Sequence, residues 1–147
     1  MKIVKAFWLA VALATLAVVT SACSAGGPAA VTAPTATGPA AELFEGPLLP
    51  GGSAFYSFTV TATGLTNVML ASVTTSTSPG TSSTVVLGLA IGTPIGSDCT
   101  ITNALPTAAG LTSQIVNSLT PGTYCARVYD IGNLKVPVNF AIRIVHT

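Results

Sequence analysis

Charge is what this chain has least of. Five Lys or Arg and four Asp or Glu are its only ionised groups in 147 residues, and they nearly cancel. No field of one sign exists to hold nucleic acid or to pull the chain onto an acidic membrane surface. Histidine is almost absent: His146 stands alone, one residue from the end. Triad catalysis needs a positioned base with an orienting carboxylate, so we expect His146 to be a solvated tail residue. With four carboxylates in all, a paired-carboxylate glycosidase has little to work with. There is no phosphate loop, no zinc spacing, no Cys-x-x-Cys and no basic patch. No catalytic, metal or cofactor constellation emerges, and an enzyme is not expected. Half the residues are apolar, which excludes a disordered chain. The length allows one ordinary domain with additions.

The additions come first. Lys2 and Lys5 give a positive start, Ala6 to Val19 is almost wholly apolar, and Thr20, Ser21 and Ala22 are small. This is the layout of a secretory signal. A membrane-spanning helix needs about 20 apolar residues, which this run lacks, and no basic stop follows it. The segment Val19-Thr20-Ser21-Ala22-Cys23 resembles a bacterial lipobox, with Thr20 where Leu is commonest. The resemblance implies cleavage before Cys23, diacylglycerol on its thiol and a further N-linked chain such as palmitate. More than one chain is what stable anchoring requires. Cysteine parity agrees: of Cys23, Cys99 and Cys125, lipidation of the first leaves one pair for a structural disulfide. Cleavage after Ala22 or Ala25 would instead release a secreted protein. Ser24 replaces the Asp that retains some lipoproteins at the inner membrane, which suggests the outer membrane or cell surface.

Ser24 to Ala41 holds only Ser, Ala, Gly, Pro, Thr and one Val. Pro28, Pro34 and Pro39 block helix and central strand alike. Such a segment cannot bury enough surface to offset its ordering entropy. We read a flexible tether, spanning roughly 25 Å as a coil. The expected organisation is residues 1–22 signal, 23–41 lipidated Cys and linker, and 42–147 folded domain.

From Glu42 onward the hydrophobic period is mostly two. Tyr56, Phe58 and Val60 alternate with Ser57 and Thr59. Val68 and Leu70 share a face, as do Val85, Leu87, Leu89 and Ile91, and Tyr124, Ala126 and Val128. Val138, Phe140, Ile142 and Ile144 form the last such set. Pro50-Gly51-Gly52, Pro79-Gly80, Pro94, Pro106, Pro121-Gly122 and Gly132-Asn133 read as turns. Thr and Ser fill the outward slots, and Thr suits a pleated surface. The best helix candidate, Thr107 to Val116, is weakened by Gly110 and its Thr residues. The expected fold is all-β: an antiparallel sandwich of seven or eight strands. Cys99, Asp98 and Asp130 are expected in loops, and Glu42 and Glu45 before the core. Asp130-Ile131-Gly132-Asn133 could be a calcium-loop fragment, but a turn explains the same letters. Phe44, Phe55 and Tyr129 are the aromatics expected to be exposed.

Three segments carry a resemblance. Leu119-Thr120-Pro121-Gly122-Thr123-Tyr124-Cys125-Ala126-Arg127-Val128 looks like the L-x-x-G-x-Y-x-x-x-V strand of bacterial pre-peptidase C-terminal domains. Gly52 to Val60 resembles that family's first core strand, and Asn139 to Ile144 its last. The similarity covers about residues 43 to 145. It implies a jelly-roll-like sandwich that assists secretion, folding or substrate binding and is not itself catalytic. Ala54 stands where the family often has Asp, and Thr84-Val85-Val86-Leu87-Gly88 lacks its acidic residues. The calcium site of some relatives is therefore not expected. The functional expectation is an envelope lipoprotein, membrane-anchored through Cys23, whose sandwich binds a glycan or an envelope protein. A self-associating structural protein is the alternative, and a hydrolase the third reading.

Overall fold

The structure is a computed structural model and describes residues 38–75 and 83–147. The expected signal, Cys23 and most of the linker lie outside these residues. Eight strands follow one another: β1 (Ala40–Leu48), β2 (Ser53–Val60), β3 (Gly64–Thr75), β4 (Leu87–Ile95), β5 (Asp98–Thr107), β6 (Ile115–Leu119), β7 (Gly122–Tyr129) and β8 (Val138–His146). They form two four-stranded sheets, in the orders β1-β8-β3-β6 and β2-β7-β4-β5. Every neighbouring pair is antiparallel. This is the eight-stranded antiparallel sandwich of jelly-roll type.

The period of two explains which side chains meet. Val68, Leu70, Ile142 and Ile144 of one sheet face Phe58, Leu87, Leu89, Ile91 and Val128 of the other in a continuous buried core. Each fully buried Leu, Ile, Val or Phe contributes about 1.5–3 kcal/mol. Phe44 is not exposed as expected. Its ring stacks on Tyr56 at 4.7 Å between centroids, packed against the core where β1 passes β2.

Several elements differ from the sequence reading. The first strand begins at Ala40, and Glu42 and Glu45 lie within it. Asp98 and Cys99 open a strand instead of sitting in a loop, and Cys99 is buried. Residues 115–119 form a strand where the helix candidate ended. Pro94 and Pro106 lie inside strands. Both are tolerated because each stands where one side of its strand has no ladder partner, so a missing N–H there need not break a ladder bond. Pairing of β4 with β7 stops at Gly92, before Pro94, and Pro106 is on an edge strand. His146 is not a solvated tail residue: it is 3% exposed in β8, its ring 5.2 Å from that of Phe58.

Candidate functional site

The sheet β2-β7-β4-β5 builds a corner on its outer face. Cys125 lies on β7 and Cys99 on β5, with β4 between them. Strands two apart in a flat sheet stand roughly 10 Å apart, yet these two Cα atoms are 6.0 Å apart and their sulfurs are bonded. The start of β5 therefore leaves the sheet plane and crosses the outer face. Gly92, at a register shift in β4, makes room for the crossing. A Cβ there would stand 1.9 Å from the carbonyl oxygen of Thr100. The disulfide expected from cysteine parity is thus the clasp of a folded-over hairpin.

The crossing delivers Asp98 to Arg127. The Arg127 Nη1 donates to Asp98 Oδ1 at 3.1 Å, and its Nη2 donates to Ser53 Oγ at 3.0 Å. The backbone N–H of Cys99 also donates to Asp98 Oδ1, at 2.8 Å, which fixes the carboxylate. Arg127 is half-buried and Asp98 largely exposed, so the pair presents a bonded face inward and free valences outward. An exposed ion pair of this kind adds little to stability.

Tyr129 completes the corner. It follows Arg127 on the same face of β7 and lies opposite Gly88 of β4. A Cβ on Gly88 would come within 2.2–2.5 Å of the ring's Cζ and both Cε atoms. Three nearly equal distances mean that the ring lies flat over the glycine. The Arg127 guanidinium carbon stands 6.0 Å from the ring centroid, within cation–π range. Tyr129 remains half-buried, as does Phe55, which pairs with Arg127 across β2.

Other candidates resolve differently. Asp130 does sit in a loop, but its carboxylate is fully engaged. Oδ2 accepts from the Gly51 N–H at 2.8 Å, and Oδ1 from Gly132, Asn133 and Leu134 at 2.9–3.1 Å. These bonds, that from Gly51 foremost, hold its carboxyl below the usual value against the opposing effect of desolvation. The residues suspected as a calcium fragment therefore cap a turn and tie it to the β1–β2 connection. His146 Nε2 lies 2.7 Å from Glu42 Oε1, joining β8 to edge strand β1. That histidine is buried against Phe58, out of reach of a substrate in solvent. Among the described residues no three His, Cys, Asp or Glu side chains are grouped to hold a metal ion.

The opposite sheet carries a shallow groove of about 360 Å³ lined by Glu45, Gly46, Ser72, Thr74, Asn139, Phe140 and Ala141. A bulge at Ala71 in β3 turns Ser72 toward Ala141 beside it. The groove offers hydroxyls, an amide and one carboxylate. The Phe140 ring belongs to the core, so the groove has no open ring face and no opposed charges. The corner at Arg127 has opposed charges and, beside them, the half-buried ring of Tyr129. Of its residues, the sequence marks Cys99, Cys125 and Tyr129, while Asp98 opens a strand where a loop is expected and no sequence pattern assigns Arg127 or Ser53 a role. Their only sequence signal was that charge is scarce and that Arg127 takes an outward strand position beside a cysteine. No known family model matches this chain, and no curated protein matches it.

Proposed function

We propose that this chain is a non-catalytic cell-envelope lipoprotein that presents one β-sandwich on a flexible tether as a binding module. In this reading residues 1–22 are removed, Cys23 carries the lipid anchor, and the segment from Ser24 to the start of β1 at Ala40 spans from membrane to domain. The kinship with pre-peptidase C-terminal domains belongs to the same reading. Its support is that the three similar segments fall on β2, the β6–β7 turn with β7, and β8. The observation that carries the binding role is the disulfide-clasped corner, where Asp98, Arg127, Ser53 and Tyr129 converge on a rigid sheet. Rigid placement of a few polar groups beside a ring is the composition of a recognition site. The histidine and three of the four carboxylates already have partners within the fold, which leaves little for acid–base work.

The intact mass of the protein from its own cell, with and without reductant, tests the anchor. We expect a chain beginning at Cys23 with added lipid that gains two hydrogen atoms, as two protons and two electrons, on reduction. A lipid-free mass would replace this reading with a secreted protein. The second reading, self-association, is favoured by one feature: β5 is an edge strand without charge from Cys99 to Thr107, with Ile101 40% exposed.

A further inference from the structure

We propose that the outer face around Tyr129 is a saccharide site that takes a neutral, β-linked, gluco-configured glycan. The C–H face of one pyranose ring stacks on Tyr129, and its hydroxyls bond Asp98 and Arg127. This rests on the binding-module reading and names the ligand class for it.

Three observations converge. The first is the ring. Tyr129 is pressed flat on Gly88, which supports one face and fixes its orientation. A ring held this way loses little entropy when a ligand covers the part that Gly88 and the Arg127 guanidinium leave exposed. It suits a pyranose whose substituents are all equatorial, because such a ring turns axial C–H bonds to both of its faces. The second is the polar pair. Arg127 Nη1 and the Cys99 N–H fill Asp98 Oδ1, so Asp98 Oδ2 and the remaining Arg127 N–H groups stand side by side as acceptor and donors on the exposed edge of the pair. Each hydroxyl both donates and accepts, so two adjacent ones satisfy the free valences of both side chains. The third is charge. The Asp98 and Arg127 charges cancel within the pair, which favours a neutral polyhydroxyl ligand over an anion or a cation. The Cys99–Cys125 bond holds Asp98 in place, because Asp98 adjoins Cys99 on the strand that it clasps. Binding should therefore depend on the oxidised state.

The test uses the full chain, oxidised, titrated with cellotriose and with chitotriose while the ring signals of Tyr56, Tyr124 and Tyr129 are followed by NMR. We expect saturable shifts at Tyr129 with at least one sugar, and none at the other two. Tyr129→Phe, which keeps the ring, should bind within about twofold of wild type. Tyr129→Leu, which covers Gly88 without a ring, should bind about tenfold more weakly, the worth of one aromatic stacking contact. Asp98→Asn and reduction of the disulfide should each weaken binding several-fold. They keep the proposal falsifiable if Tyr129→Leu does not fold. No saturable shift at Tyr129 with either sugar would overturn the site. Equal binding by wild type, Tyr129→Leu and Asp98→Asn would overturn it too, yet leave the binding-module reading standing. So would binding of a proline-rich peptide with neither sugar bound.

Discussion

Single residues in this sandwich are placed by what their polar atoms can find. Thr66 is the exception that proves informative. Its hydroxyl is buried in β3 with no hydrogen-bond partner among the described residues. A buried unsatisfied hydroxyl costs about 1–3 kcal/mol. Thr66→Val keeps the shape and removes the polar atom, so we expect it to stabilise the domain by about 1 kcal/mol. Thermal unfolding should register this as a rise of about 4–5 °C for a domain of this size. Asp130 is the opposite case, with four backbone N–H donors on one carboxylate. Its folded pKa lies below its ordinary value of 3.8. The contribution is therefore fully present above that ordinary value and is lost as pH falls through the lowered one. Asp130→Asn should lower the melting temperature at pH 7, because its amide nitrogen cannot accept from Gly51. Melting curves of the two proteins should converge as the pH drops below the carboxylate range. A constant gap at all pH values would mean that Asp130 acts through shape alone.

The strands show which signals a sequence carries and which it does not. Strands β2, β3, β4, β7 and β8 announce themselves by alternation, because the face turned to the core takes the large apolar residues at a period of two. The edge strands β1 and β5 do not. Most of β5 faces solvent on both sides, so nothing forces its letters to alternate, and its Thr, Ile, Asn and Pro read as loop. The shortest strand, β6, gives too few periods to tell from a helix start. The corner at Arg127 is hidden for a related reason. Its geometry depends on a hairpin folding back over its own sheet, and only the cysteines hinted at that. His146 is buried despite its place near the end of the chain, because that place says nothing about the strand it belongs to. If the clasp positions the hairpin, its loss should be felt beyond the loop. Cys99 and Cys125 are 26 residues apart. Chain entropy assigns such a bridge about 3.5 kcal/mol. The double variant Cys99→Ala/Cys125→Ala should therefore melt about 15 °C lower while keeping its far-ultraviolet β signature. A much smaller drop would mean that β5 holds its crossing by packing around Gly92.

At the scale of the whole molecule, scarcity of charge becomes the governing property. Beyond the expected signal only Arg127, Lys135 and Arg143 oppose Glu42, Glu45, Asp98 and Asp130. Arg127 and Asp98 neutralise each other, Glu42 bonds His146, and Asp130 is covered by amides. Little long-range repulsion is left to keep copies apart. Sandwiches usually blunt their edges with lysine, proline or bulges. Here β1 carries two glutamates and Pro47, and β6 is short. Strand β5 has ten residues with Asp98 at one end, Pro106 near the other and no charge between them. If the copies meet edge to edge, they should meet there or on β2, the other edge of that sheet, which also lacks charge and proline. Ile101→Lys places a charge at an exposed position on the β5 edge without touching the core. Light scattering at neutral pH should show weaker attraction between copies of this variant than of wild type, with thermal stability unchanged. Equal scattering would clear the β5 edge, and attention would pass to β2 and to the exposed Leu65 and Val116 at the opposite sheet's β3–β6 margin. A strictly monomeric wild type would leave recognition of a foreign ligand as the better account of why so bare a surface keeps its charge at Arg127.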